Sequence, residues 1–484
     1  MEEELRGELL NMGAYLKLYR LVEGTEPMKK QTNMTTGTAI RPREKVKECS
    51  PVEHITQIKE VPVIAQYDVV VCGGGPSGFI AAIAAARGGA RTALIERYGF
   101  LGGMATAALV APISVFNYNG RRVVGGIPWE FIERLIEIDG AREEKPLGNI
   151  TFSPEKYKLI AQRMVLEAGV SLYLHSYLTG CKKSGNRLTH IFIENKNGTE
   201  AIAAKYFIDC TGDADLAFQS GVPMQPMKSE LQPATLIFML GGVDTHSLPM
   251  IRHSQPGVNY HDLDMKKILE ELGRKKKLPL FGGPWYCGVL DDGLVLINMT
   301  RAQANMADNR QATNIECLLR EDVFTFVKVL KQNIPAFKEA YLVNTAPQAG
   351  IRETRRIKGV YTLTGEEYIE ACDFPDAISR GCHPVDIHSS GSKNQRCEFL
   401  RDAAFVPYRC LIAPDFPNLL VGGRAFSADG VSSASVRVQA SVMGLGQAAG
   451  AAAGLCVQSG VDVSEVNIAK LREVLISYGA NLTK

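Results

Sequence analysis

The sequence predicts an α/β fold in two parts: a parallel sheet with a β-meander, split along the chain, and an α+β domain inserted between its halves. Three observations predict it. A buried strand at Asp68–Cys72 runs into closely spaced glycines and an Ala-rich helix, Ser77–Arg87. Alternating segments at Val170–His175, Arg187–Glu194 and Glu200–Ile208 read as strands, with a turn at Asn195–Gly198. The strand-then-helix texture returns at Asn418–Gly422, ahead of a long small-residue helix from Val436 to Gln458. The expected division is an extension over 1–65, a first part over 66–235, an inserted substrate domain over 236–400, a second part over 401–460 and a tail over 461–484.

The first unit carries the densest information. Gly73, Gly75 and Gly78 fit G-x-G-x-x-G between strand and helix, with Pro76 and Ser77 opening the helix. The first glycine permits a tight turn, the second a close approach of the backbone to a pyrophosphate, the third close packing of helix on strand. The helix N-terminus offers positive charge to phosphates. Thr92–Glu96 is the next strand, and its terminal Glu96 has the place and chemistry to accept hydrogen bonds from ribose hydroxyls. The unit is therefore a Rossmann-like dinucleotide site. Two helices follow, Pro128–Ile138 and one capped by Ser153 with Pro154 in its first turn.

Bulk properties narrow the function. A chain of 484 residues exceeds one compact core. A net charge of +2, with both signs mixed along the chain, argues against a nucleic-acid partner. The eleven cysteines include no C-x-x-C pair, so no zinc ribbon or dithiol centre is signalled. No secretory signal opens the chain, and the small residues of Ala440–Val457 suit a buried helix better than a membrane span. A cytoplasmic protein with reduced thiols is expected, with neither a membrane nor a nucleic acid as partner. The oligomeric state is not legible.

Two later segments separate the possible dinucleotides. Phe207–Asp215 is an apolar strand ending in a Gly-Asp turn, with Thr211, Gly212 and Asp213 at the turn. Leu419–Arg424 is a second strand and turn, ending in Gly423 and Arg424 ahead of the small-residue helix. Tyr67–Gly78, Glu96–Thr106, Asp209–Asp215, Gly350–Ile357, Asp376–Ile378, Asp386–His388 and Gly422–Gln447 resemble the FAD-dependent oxidoreductases of the glutathione-reductase-like group, distantly similar to fumarate reductase flavoproteins. The resemblance implies FAD, with its adenosine on Glu96 beside Arg97. It places Gly102, Gly103, Met104, Ala105 and Thr106 beside the pyrophosphate and flavin, and Gly212 and Asp213 near the adenosine side. It fixes the cofactor better than the reaction.

Two groups of residues remain for chemistry. Arg352, Arg355 and Arg356 carry forks that bind carboxylates and stabilise developing negative charge. In an extended segment Arg352 and Arg356 share one face and Arg355 takes the other. In His383–His388, Asp386 and His388 share a strand face while His383 takes the opposite one, which speaks against a metal site. Asp386 is expected to orient His388 as an acid/base group. The lone Cys382 is expected to be inert. The expected activity is hydride transfer between a small organic substrate and the flavin, with an electron acceptor that the sequence does not identify. A reductase of an activated double bond and a non-catalytic FAD-binding scaffold are the alternatives.

Overall fold

A computed structural model describes residues 55–145, 148–227, 231–245, 247, 263–275, 278–288, 293–389 and 395–484. Most of the expected extension lies outside the described residues. The first strand, β1 (Val63–Cys72), begins a little before the predicted one and leads into α1 (Pro76–Arg87). The strands β2 (Thr92–Ile95) and β3 (Ser171–Tyr173) lie beside it in the order β3-β2-β1, all parallel. Next come β4 (Tyr177–Ser184), β5 (Arg187–Asn195) and β6 (Gly198–Asp209). The sequence reading missed β4, whose exposed, lysine-bearing run lacks a clear alternation.

The long strand β6 joins the two textures. From Ala201 to Asp209 it runs parallel to β1. On its other edge, Gly198–Ala203 pairs antiparallel with β5, and Phe207–Asp209 pairs parallel with the late strand Leu419–Val421. A parallel sheet and an antiparallel meander therefore share one strand. Asn418 pins the junction: its side chain accepts from Leu188 N and donates to Leu188 O and Lys205 O.

Between the halves, β7 (Phe238–Gly241), β8 (Phe281–Gly288), β9 (Val295–Thr300) and β10 (Tyr341–Thr345) form a separate antiparallel sheet in the order β8-β9-β7-β10. The helix α2 (Asn309–Asn333) belongs to the same region. These elements fall inside the stretch expected to be inserted. A two-stranded ribbon, β11 (Val385–His388) and β12 (Gln395–Glu398), follows before the return strand β13 (Leu419–Val421).

The small-residue helix starts later than predicted. Gly430–Val436 is one short helix, capped by Asp429, and α3 (Gln439–Ser459) is another. Arg437 and Val438 form the break, Val438 being extended. The helix α3 is long and apolar enough to cross a membrane, yet 89% of that stretch is buried inside the protein. Its glycines explain this. A Cβ on Gly446 would lie 2.0 Å from Ser77 O, and one on Gly450 would lie 2.1 Å from Ala81 O, so α3 and α1 cross backbone on backbone. The helix Pro154–Glu167 does start after Ser153, but the serine makes no side-chain cap bond.

Candidate functional site

The glycine loop is shaped by contacts that leave no room for side chains. Gly73 has φ +96°, and a Cβ there would lie 2.4 Å from Cys210 O. A Cβ on Gly78 would lie 1.7 Å from Gly73 O. Gly75 differs: the nearest atom to its Cβ position is Gly103 Cα at 3.8 Å. The protein itself has space for a side chain at Gly75, so only something arriving from the cavity requires a glycine. That is the cradle a pyrophosphate needs.

Glu96 closes the loop. Its Oε2 accepts from Gly74 N at 2.7 Å and its Oε1 from Tyr98 N at 2.9 Å. Burial raises its pKa, while those backbone N–H groups and Arg97 oppose the rise. Arg97 donates to Gln348 Oε1 at 2.7 Å. On the opposite side, Asp209 accepts from Thr211 N, Thr211 Oγ and Ala217 N, which fixes the turn carrying Thr211 and Gly212. Asp213 accepts from Arg424 at 2.6 Å and from the Thr354 hydroxyl.

A cavity of about 610 Å³ begins at this cradle, within the roughly 300–1,000 Å³ usual for ligand sites. Gly73, Gly75, Pro76, Ser77, Glu96, Arg97, Gly103, Met104, Thr211, Gly212, Gly423 and Arg424 all line it. Gly78, Gly102, Ala105, Thr106 and Asp213 do not; they hold the lining residues in place. Thr106 donates to Leu101 O at 2.8 Å and fastens the Gly102–Ala105 turn. The sulfur of Met104 accepts from Ile351 N, linking that turn to the segment before Arg352. The Gly75 cradle, the buried carboxylate of Glu96 and the guanidinium of Arg424, whose buried Nε has no partner among the described residues, fit FAD.

The same cavity reaches Arg352, His383, Asp386, His388 and Arg437. Arg352 donates to Pro233 O at 2.6 Å and Thr235 Oγ at 2.7 Å. Arg301, behind it, donates to the same hydroxyl at 2.7 Å. Arg437 donates to Asp386 O at 2.9 Å and Gln232 Oε1 at 3.2 Å. The pairing expected of Asp386 and His388 is present: Nε2 lies 3.1 Å from Oδ2, and Gln395 donates to Oδ1 at 2.6 Å.

Three buried guanidiniums thus surround one carboxylate. Burial lowers all three arginine pKa values, Arg301 to about 10 and Arg352 well below its ordinary value. For Arg352, the neighbouring Arg301 and Arg437 add to the effect. Burial also pushes His388 down to about 3 against the pull of Asp386. Asp386, although buried, is held far below the carboxylate range, His388 being its strongest opposing influence.

Two expectations need correction. Residues 351–356 form no strand, so the face rule fails there. Arg355 does not line the cavity; it donates to Asp213 O and Asp215 and lies 4.4 Å over the ring of Phe218. Arg356 is buried against Glu353 at 2.8 Å. Of the three arginines only Arg352 reaches the site. His388 in turn has no spare ring nitrogen, because Arg301 Nη2 lies 3.5 Å from Nδ1. Cys382 is buried, donates to Val115 O and Asn117 O, and has its pKa raised by burial to about 12, as an inert thiol should.

Arg301 and Arg437 are the residues that sequence reasoning missed. Arg301 follows an ordinary strand and carries no signal. Arg437 does carry one: it is the single charged residue between Gly430 and Ser459.

A family model described as FAD dependent oxidoreductase matches residues 68–475. A dihydrolipoyl dehydrogenase of Trypanosoma brucei brucei is 57% identical over 42 residues, which is 9% of this chain and 9% of that protein. Among solved structures, a geranylgeranyl bacteriochlorophyll reductase-like protein from Thermoplasma acidophilum is 14% identical, covering 86% of this chain and 82% of its own, with a TM-score of 0.43. The flavin-dependent brominase Bmp2 is also 14% identical, covering 86% and 83%, with a TM-score of 0.45.

Proposed function

The chain belongs to the FAD dependent oxidoreductase family, and on that premise we propose that it exchanges a hydride between FAD and a small organic anion, such as a hydroxy or amino acid. One observation supports this reading above the rest. The cavity that starts at the dinucleotide cradle ends at a wall where Arg352 and Arg437, with Arg301 buried behind them, outnumber the carboxylate of Asp386.

Buried charge without a partner is costly, and an arriving anion relieves that cost. Arg352 faces the cavity and is held from behind by Pro233 O and Thr235 Oγ. It presents a fixed fork to a carboxylate, the geometry guanidinium recognises best. Arg437 does the same from the helix break, anchored by Gln232. FAD, when bound, supplies the two-electron exchange. The protein's part is to hold the anion, keep water out and accept or return a proton. His388 and Asp386 keep the wall in register: the pair ties β11 to Arg301 on one side and to Gln395 on the other.

The test is anaerobic mixing of FAD-loaded protein with a panel of 2-hydroxy acids, amino acids and their neutral alcohol and amine counterparts. Carboxylate-bearing members should bleach the flavin and neutral counterparts should not. Arg352→Gln should raise the half-saturating concentration about 10- to 100-fold, the loss of a charge-assisted bond of about 1.5–3 kcal/mol. Equal reduction by charged and neutral members, with Arg352→Gln unchanged, removes the anion from the reading. Turnover that needs oxygen before any bleaching removes direct hydride transfer.

A further inference from the structure

His383 precedes one short strand and His388 ends it, and both reach the cavity. Their ring nitrogens are used in different ways. His388 is 8% exposed, with Nε2 beside Asp386 and Nδ1 beside Arg301. A guanidinium can only donate, so Nδ1 accepts and Nε2 keeps the proton that it gives to Asp386. Neither nitrogen is left for a substrate.

His383 has the opposite arrangement. Its Nδ1 lies 2.7 Å from Pro384 O. A carbonyl can only accept, so Nδ1 carries the proton and Nε2 bears a lone pair. Among the described residues no side chain or backbone group bonds to that Nε2, and the ring is only half-buried in the cavity wall. The ring is not loose. Ser435 donates to His383 O, and Pro384 follows directly, so the backbone is held on both sides of the ring.

We infer that His383, through Nε2, takes the proton released when the substrate is oxidised, and that His388 is a positioning residue. This rests on the anion-oxidising reading above. In the step, the O–H or N–H bond of the substrate breaks and its proton moves to Nε2 of His383. The bonding pair stays behind and becomes the second bond of a C=O or C=N group. The adjacent C–H bond breaks with both electrons, as a hydride, to FAD as the two-electron oxidant. The imidazolium then returns its proton to solvent, and the ring is restored.

The charges around His383 suit this role. Burial lowers its pKa from the ordinary 6.5, Asp386 and the bond to Pro384 O oppose the drop, and Arg437 adds to it. The ring is therefore neutral at pH 7 and able to accept. Asp386 stands ready to stabilise the imidazolium once it forms. By this sign, the reaction slows as pH falls and the waiting ring becomes protonated.

Three measurements on the FAD-loaded protein test the assignment. The first is histidine ¹⁵N NMR, with His383→Asn and His388→Asn to assign the signals. It should show the proton on Nδ1 in His383 and on Nε2 in His388. The second is diethyl pyrocarbonate, which attacks bare imidazole nitrogens. It should modify His383 at least ten times faster than His388, and malonate should slow that modification. The third is anaerobic flavin reduction by the acid panel. Asparagine at 383 keeps an N–H for Pro384 O and removes Nε2. His383→Asn should retain the flavin spectrum, lose about 10²–10⁴-fold in rate and lose the acid limb of the pH profile. His388→Asn should mainly raise the half-saturating concentration. A His383→Asn protein within twofold of the parent, with the same pH profile, overturns the inference alone; so does preferential modification of His388. Failure of every panel member to reduce the flavin overturns the anion-oxidising reading and this inference with it.

Discussion

At the glycine-loop end of the cavity the shape is made by backbone. At the arginine–histidine end it is made by side chains. The loop, α1, β2 and the Gly102–Ala105 turn follow one another in the chain, and Glu96 bonds directly to Gly74 N. The far wall draws Gln232, Thr235, Arg301, Arg352, Asp386 and Arg437 from segments scattered between β6 and α3. A local backbone shape demands particular residues at fixed spacing. A wall of converging side chains demands only that each one arrive, from whichever segment passes nearby.

That difference governs what is expected on mutation. The largest effect belongs to Gly78. Its Cβ would lie 1.7 Å from Gly73 O and 3.1 Å from the Cys210 side chain. The first is packed backbone that cannot yield locally, and overpacking of this kind costs well over the usual ~1–3 kcal/mol. Gly78→Ala should give little soluble, folded protein, read by yield and circular dichroism. A soluble Gly78→Ala protein with parental melting would break the claim that backbone contact sets this end.

Gly75 sharpens the same claim from the other side. With only Gly103 Cα near its Cβ position, at 3.8 Å, the fold accepts a side chain there. Gly75→Val should therefore melt close to the FAD-free parent yet purify without yellow colour. The two glycines of one motif are thus separated by what excludes their side chains, the protein for Gly78 and the cofactor for Gly75. A folded Gly75→Val protein with full flavin absorbance would show that no phosphate approaches there.

The same contrast explains what was legible in the sequence. The positions of β1, α1, β2 and β13 follow from glycine spacing and hydrophobic runs, because each is a local constraint. The pairing of Asp386 with His388 was legible for the same reason, since a strand puts residues two apart on one face. Arg355 was misplaced because that rule was applied to a segment that turns out irregular. Nothing near Arg355 in sequence reveals Asp213 and Asp215 waiting for it across the chain. The break at Arg437 was hidden by small residues on both sides, which favour a continuous helix. Only the arginine's bonds to Gln232 and Asp386 O, made in three dimensions, give that break a purpose.

The smallest effect comes from a residue that sits between the two kinds of site. Thr106 was expected to touch the cofactor, but it is buried at 1% exposure behind the turn and donates to Leu101 O at 2.8 Å. Its role is to hold Gly103 and Met104 where they line the cavity. Valine has nearly the same shape and no hydroxyl, so Thr106→Val leaves the Leu101 carbonyl without that donor. A buried unsatisfied carbonyl costs about 1–3 kcal/mol. Thermal melting should show a drop of that size, while the flavin spectrum and FAD content stay as in the parent. Loss of FAD at unchanged melting would instead place the hydroxyl against the cofactor, and the turn would then belong to the side-chain end of the comparison.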